Sequence, residues 1–438
     1  MMLALFLAEG IICSFIVFII FKYGYRKHLA LLFLFITMFV FMFFSPLYGY
    51  LTHFTTLFDN YLWDYYPEIV LNYLIAIVFF LLGYLLLKKR RVSYDLSFTS
   101  KENYIDAKFI RIGLLISLFA FIMWGVTSGK SLSNIFLLGF FGLSENATYT
   151  EGLKGNNYLL LMIETFIPLL ALSLYSNMKK SELVLWITIV AIIFLSQGFR
   201  YRFILLLSAF LLIYLYNNKL SIRKILFLGM SISIFMYAII EVSNYRSSIR
   251  NSVKSGYVSQ DAKSSNRDIA NIVFSSTRNY LAFGSLLKYM DNTDIPYGYG
   301  ETMIGHIFIR MLPSSFFDKN IKPRPPAIEI SAKSWGSREA LTAGEAYGGV
   351  GGVYYEFGSV GVALFFLLIG MMTKWLDQRI STSNNKIKVV FYIVITISLF
   401  KIITRGYLPE FFFSFSFILL PFLYIRFFRP KLWRKKNV

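Results

Sequence analysis

The chain is poor in the residues that hold metals, disulfides and soluble surfaces together. It has one cysteine, Cys13, which lies inside the first apolar run, so it can form no intramolecular disulfide, no Cys-based metal site and no dithiol redox pair. Its three histidines, His28, His53 and His306, are far apart and match no zinc spacing, and no Asp-rich metal motif appears outside the apolar runs. Charge is also scarce, at 16% of residues against about a quarter in soluble domains. What charge there is leans one way, with 44 Lys and Arg against 24 Asp and Glu and a formal net charge of +20. That balance does not point to nucleic acid. The basic residues stand in short clusters just beyond apolar runs, where orientation in a bilayer already demands them.

What the chain has is hydrocarbon: 56% of its residues are hydrophobic, 19% are aromatic, and the mean hydropathy is +0.58. A helix needs about twenty apolar residues to cross a membrane, and backbone that crosses must be helical because lipid cannot satisfy it. Eleven runs meet or approach that length: 2–21, 29–48, 68–87, 109–126, 157–176, 183–199, 203–217, 224–240, 350–373, 387–405 and 409–428. The fold class expected is therefore all-α and polytopic. The organisation expected is 1–240 for helices 1–8, 241–347 for a large extracytoplasmic loop with amphipathic helices, and 348–438 for helices 9–11 with a basic tail. The first run lacks a basic leader and an A-x-A cleavage site, which reads as a retained helix.

Basic clusters at Lys22 to Lys27, Lys88 to Arg91, Lys179–Lys180, Lys219 to Lys224, Lys374 to Lys388 and Arg429 to Lys436 fall on alternate connections, hence on the cytoplasmic side. This predicts an N-terminus outside and a C-terminus inside. Three outside positions break the pattern: the turn Gly198-Phe199-Arg200-Tyr201-Arg202, the long loop with thirteen basic and ten acidic residues, and Arg405 with Lys401 one helical turn deeper. A long cationic side chain at a boundary can snorkel or pair with a nearby carboxylate. Three such places together point instead to an anionic ligand, and phosphate or pyrophosphate suits the guanidinium fork.

Within the loop, Ile269, Ile272, Val273, Tyr280, Phe283, Leu287 and Met290 recur at helical spacing, predicting an amphipathic helix on or near the membrane that carries Arg278. A second helix is predicted from about Glu301 to Leu312, stopping before Pro313. In it Met303, Ile307 and Met311 form an apolar stripe, and Thr302, His306 and Arg310 lie on another face. Beyond come the stiff Lys322-Pro323-Arg324-Pro325-Pro326, then Trp335-Gly336-Ser337-Arg338-Glu339, then Gly344-Glu345-Ala346-Tyr347, then Phe357-Gly358-Ser359-Val360-Gly361. Packing explains Gly358 and Gly361. Glu345 and Glu356 at the membrane boundary must be paired, protonated or functional.

In these features the chain resembles the Wzy-type oligosaccharide repeat-unit polymerases of bacterial surface polysaccharides. Those proteins share its layout of ten to fourteen spans with a large loop late in the chain. They also share a Gly-x-Arg turn like Gly198 to Arg202, a segment ending in Lys-Pro like Leu312-Pro313 to Lys322-Pro323, a Gly-Glu-x-Tyr like Gly344 to Tyr347, and a helix start like Phe357 to Gly361. The resemblance implies an all-helical architecture like the GT-C membrane glycosyltransferases. It also implies a metal-independent, inverting glycosyl transfer at the outer face of the inner membrane, with no cofactor. The substrate it implies is undecaprenyl-pyrophosphate-linked oligosaccharide within the lipid bilayer, with no nucleic acid involved. A chain-length regulator and a flippase are protein partners that it leaves open. The cationic pool for the pyrophosphate is Arg200, Arg202, Arg278, Arg310, Arg338 and Arg405, with Tyr347 beside it. Candidate bases for the attacking hydroxyl are Glu345, favoured, then Glu339, Glu356 and His306.

Three other readings stand beside this one. An O-antigen ligase shares the arginine logic and the large loop. A transporter or flippase is expected to show internal repeats and ionisable residues at mid-span, but the halves show no repeat and few mid-span residues are ionisable. A non-enzymatic assembly scaffold tolerates neutralising Arg200 and Arg405.

Overall fold

The computed structural model describes residues 2–57, 60–88, 105–127, 157–196, 200–218, 274, 277–312, 316–317, 334 and 346–428. The described residues form helices, apart from a two-residue strand pair in which Thr56–Leu57 (β1) lies antiparallel to Asn60–Tyr61 (β2). Seven helices are long and apolar enough to cross a membrane: α1 (Met2–Tyr23), α2 (Leu29–Leu51), α3 (Trp63–Leu86), α4 (Ala107–Thr127), α10 (Gly348–Thr382), α11 (Lys386–Arg405) and α12 (Leu408–Phe428). Two of the expected spans are shorter apolar helices, α5 (Tyr158–Ser173) and α7 (Tyr201–Asn217, opened by Arg200), and α6 (Lys180–Ser196) falls on a third. The run at 224–240 lies outside the described residues. Two more helices belong to the long loop: α8 (Asn279–Thr293), and α9 (His306–Met311), which follows a π-helical turn at Glu301–Gly305.

The chain divides into two compact units. The first comprises Met1–Asp95, Phe274–Ser383 and Ile395–Phe413. Its centre is the pairing of α3 with α10, which approach so closely that a Cβ on Gly83 would overlap the Leu367 carbonyl and one on Gly370 would overlap the Phe80 carbonyl. Small residues at such a crossing let two backbones meet inside a membrane, where the hydrophobic effect gives no help. Helix α1 packs on α3 and α2 packs on α10, with Tyr66, Phe80, Tyr84 and Phe366 fully buried. Helix α2 widens into a π-helix at Phe39–Phe44, directly before Pro46. That proline offers no N–H to the carbonyl of Met42 and its ring crowds the preceding turn, which accounts for the local change of winding.

At the opposite end of α10, Asp377 accepts hydrogen bonds from the N–H groups of Ala30 (2.7 Å) and Leu31 (3.3 Å) and from the Tyr84 hydroxyl (2.8 Å). It thereby satisfies backbone donors that the start of α2 leaves open.

The second unit comprises Leu96–Val273, Asn384–Val394 and Ser414–Val438, and within it α4, α6 and α7 pack against α5. Helix α5 tightens to a 3-10 turn at Met162–Thr165. Pro168 has no N–H for the carbonyl of Glu164, so the ladder is interrupted there, in the turn that carries the Glu164 carboxylate.

Helices α8 and α9 depart from simple amphipathic expectation. The first two turns of α8, Tyr280 to Leu287, are buried on every side, against α3 and α10 among others, so α8 is an internal element and not a helix lying on the membrane. Arg278 stands at its N-cap and not on the helix. Residues 269, 272 and 273 of the predicted stripe lie outside the described residues. Burial pushes the Tyr280 phenol up from its ordinary pKa. It therefore stays neutral and donates to the Phe54 carbonyl at 2.8 Å.

Helix α9 is turned the other way round from a helix on a soluble protein. Thr302 and His306 are buried, while Ile304, Phe308 and Met311 are exposed. A surface facing lipid selects this arrangement, with apolar side chains outward and polar ones against the protein.

Candidate functional site

The sequence-derived cations separate into two groups. Arg202 belongs to the second unit, in the first turn of α7 and not on the turn before it. It is 3% exposed, and its Nε donates to Glu164 Oε1 at 2.9 Å, with Tyr201 donating to the same oxygen at 3.0 Å. A side chain so paired serves packing first. Breaking a buried pair by removing one partner costs about 3–5 kcal/mol, because the other charge is left stranded. Arg202→Ala is therefore expected to lower the detergent unfolding temperature and the amount of protein in the membrane. Arg202→Met with Glu164→Leu is expected to recover both, which fluorescence-detected thermal unfolding will read. Arg200 opens the same helix, and Gly198 lies outside the described residues.

The second group gathers in the first unit, where several helix ends meet on glycine. Helix α11 ends at Arg405, and Gly406 follows with φ +71°, a conformation that glycine adopts without the penalty a Cβ brings. A Cβ on Gly406 would overlap the Gly348 carbonyl, one on Gly352 would press on the Gly406 carbonyl, and one on Gly349 would press on the Ile402 carbonyl. The start of α10 and the end of α11 thus touch backbone to backbone. Asn279, first residue of α8, donates its side-chain amide to the Thr404 carbonyl and lies against Gly348. These contacts bring the N-termini of α8 and α10, capped by Arg278 and Tyr347, to the C-terminus that carries Arg405.

The α9 segment completes the junction. The Met303 side chain lies by Gly352, and the His306 ring is 6.4 Å from the Tyr407 ring. The Arg310 guanidinium lies 5.8 Å from the Phe413 ring centre, and buried Lys401 reaches Glu410 at 3.8 Å. Arg278, Arg310 and Arg405, all partly exposed, therefore stand around one glycine-lined corner, while Lys401 is buried against Glu410. Two helix N-termini add partial positive charge to that corner, offset in part by the C-terminus of α11. His306 is 1% exposed, so it is buried beside Tyr407 and not at the surface. The Tyr347 hydroxyl lies 3.3 Å from Ser334 Oγ. Arg338, Glu339 and Glu345 lie outside the described residues.

One turn along α10 from Gly352 is Glu356, whose carboxylate is fully buried. It accepts the Gly300 N–H at 2.6 Å on Oε2 and the Thr302 hydroxyl on Oε1. The helix breaks at Gly358, where φ is +63° and ψ −162°. The Gly298 N–H and Tyr299 N–H, each at 3.0 Å, bond to the carbonyls of Tyr355 and Glu356 at that break. Gly358 thus does more than allow close packing: its left-handed backbone makes the break that receives the loop. Of the alternatives for Glu356, pairing is the one realised, and the carboxylate locks loop 298–302 onto α10. Sequence reading missed Glu164, Glu410 and Tyr407. The available signal was the isolation of a glutamate in an apolar run, which lipid tolerates only with a partner.

Among the described residues, no group of three or more His, Cys, Asp or Glu side chains is placed to hold a metal ion. No curated protein and no solved structure matches the chain. The profile of the O-antigen polysaccharide polymerase Wzy family matches it over residues 2–437. A helical membrane protein whose cations gather at a corner of helix ends, matched from its second residue to its last but one, belongs to the O-antigen polysaccharide polymerase Wzy family, whose members are membrane-embedded glycosyltransferases that polymerise repeat units from lipid-linked oligosaccharide.

Proposed function

We propose that the corner formed by Arg278, Arg310 and Arg405 receives the pyrophosphate of an undecaprenyl-pyrophosphate-linked repeat unit, at the outer face of the bacterial inner membrane. The observation that carries this reading is the convergence of these cations on backbone held together by Gly348, Gly349, Gly352 and Gly406. The bond to be broken joins an anomeric carbon to a pyrophosphate oxygen, and negative charge grows on that oxygen as it leaves. Preorganised cations at a lipid boundary stabilise such charge more strongly than they would in water. The sugar hydroxyl of a second lipid-linked unit attacks the anomeric carbon from the opposite face. Its proton passes to a carboxylate, for which Glu345 is preferred over Glu339, and polyprenyl pyrophosphate departs with its electron pair. Attack opposite the leaving group inverts the anomeric configuration.

Arginine performs the charge stabilisation that a divalent ion performs elsewhere, so the reaction proceeds without metal. On this reading the N-terminus lies outside and the C-terminus in the cytoplasm, and a chain-length regulator and a flippase work beside the enzyme. The test incubates purified protein in detergent with a synthetic polyprenyl-pyrophosphate oligosaccharide, with and without a chelator. A ladder of products that persists in chelator is expected. A ladder lost in chelator and restored by a divalent ion would overturn the metal-free chemistry.

A further inference from the structure

Loop 294–302 does something that locking it to α10 does not require: it holds two tyrosines out. Tyr299 is 74% exposed and sits at φ +45°, a left-handed backbone that a bulky residue adopts only when its surroundings impose it. Tyr297 is 39% exposed, and its ring stands edge-on to Tyr299, with centres 6.4 Å apart and planes at 82°. Behind them Tyr297 packs on Tyr354 at 6.2 Å, and the Tyr354 hydroxyl donates to Glu68 at 2.6 Å. The backbone beneath is bound by the N–H groups of Gly298, Tyr299 and Gly300 to the Gly358 break and to Glu356. These two rings are therefore fixed as well as exposed.

An interfacial anchor for lipid headgroups is the ordinary use of exposed tyrosine in a membrane protein. Two observations weigh against it. An anchor gains nothing from a strained backbone or from two rings set at right angles. The surrounding segment is also acidic: between Lys288 and Arg310 there is no Lys or Arg, while Asp291, Asp294 and Glu301 are all exposed. Lipid phosphates are repelled by such a surface.

We propose that Tyr297 and Tyr299, with Glu301 beside them, form a saccharide subsite for the lipid-linked repeat unit. Tyrosine rings offer flat, weakly polar faces to the C–H faces of a pyranose, and carboxylates accept its hydroxyl hydrogens. The subsite rests on the polymerase reading and extends it by giving the sugar its own place. Loop 294–302 runs straight into the π-helical turn and α9, which carries Arg310, so the tyrosines and the cationic corner lie at the two ends of one short segment. A glycosyl pyrophosphate carries the same two chemistries side by side.

The probe is a fluorescently labelled single-repeat oligosaccharide, released by mild acid from the surface polysaccharide of the host bacterium and free of phosphate. Binding is measured to the full chain in detergent. Tyr297→Ala with Tyr299→Ala is expected to weaken binding by about tenfold or more, while Tyr297→Phe with Tyr299→Phe stays within about threefold of wild type. No binding by wild type, or equal binding by the double alanine variant at equal thermal stability, overturns the subsite. If the subsite alone is wrong, deleting the gene still removes the polymer ladder in the host. If the ladder survives deletion, the polymerase reading itself fails.

Discussion

Arg405→Ala is expected to reduce polymer formation by about 10²–10³-fold, the usual loss when one preorganised donor to a developing oxyanion is removed. Arg405 is the last residue of α11, and its backbone is fixed by the contact of Gly406 with Gly348 and Gly352 and by the Asn279 side chain on the Thr404 carbonyl. The guanidinium is thus presented from a rigid mount beside the Arg278 cap and the Arg310 helix. The competing account is that Arg405 only balances the negative end of α11. In that case its removal costs about 0.3–1 kcal/mol of stability and leaves catalysis intact. Initial rates of ladder formation in membrane vesicles, normalised to folded protein, separate the two. Arg405→Lys is expected to recover only part of the rate, because a point charge replaces a fork.

Glu356→Ala is expected to abolish polymer formation as well, by a different route. It leaves the Gly300 N–H and the Thr302 hydroxyl without their acceptor, at about 1–3 kcal/mol for each buried donor. Loop 298–302 then keeps only its two backbone bonds to α10, just before the segment that carries His306 and Arg310. Glu356→Gln keeps one acceptor but turns an amide N–H₂ toward the other donor, so it is expected to fall between alanine and wild type. Thermal unfolding in detergent and ladder formation, measured on the same preparations, check the ordering wild type, glutamine, alanine. Wild-type behaviour from the alanine variant on both readouts would remove Glu356 from the account.

Much of the helical frame was legible from hydropathy alone, because lipid forces every crossing segment into a helix and demands about twenty apolar residues for it. The end of α9 before Pro313 could be read from a single residue. Other features could not, since they depend on contacts far apart in sequence. The Arg202–Glu164 pair spans 38 residues, and the Glu356–Gly300 bond spans 56. The periodicity of α8 was read as one apolar stripe facing lipid, but neighbouring helices bury its other faces too. The two faces of α9 were read apart, but which one turns inward was not, because a polar face beside hydrocarbon turns towards the protein. Tyr297 and Tyr299 carried no motif, and only backbone strain together with exposure distinguishes them. The corner of Arg278, Arg310 and Arg405 was legible as a list of out-of-place cations, but not as one place.

The most direct test of the central claim is equilibrium binding of a polyprenyl pyrophosphate bearing no sugar to purified wild-type protein and to Arg405→Ala, at low and high salt. The cationic corner predicts that the variant binds at least about tenfold more weakly at low salt, and that the wild-type advantage shrinks as salt rises. Equal affinities for the two proteins, with unfolding temperatures unchanged, would contradict the assignment of the pyrophosphate to this corner.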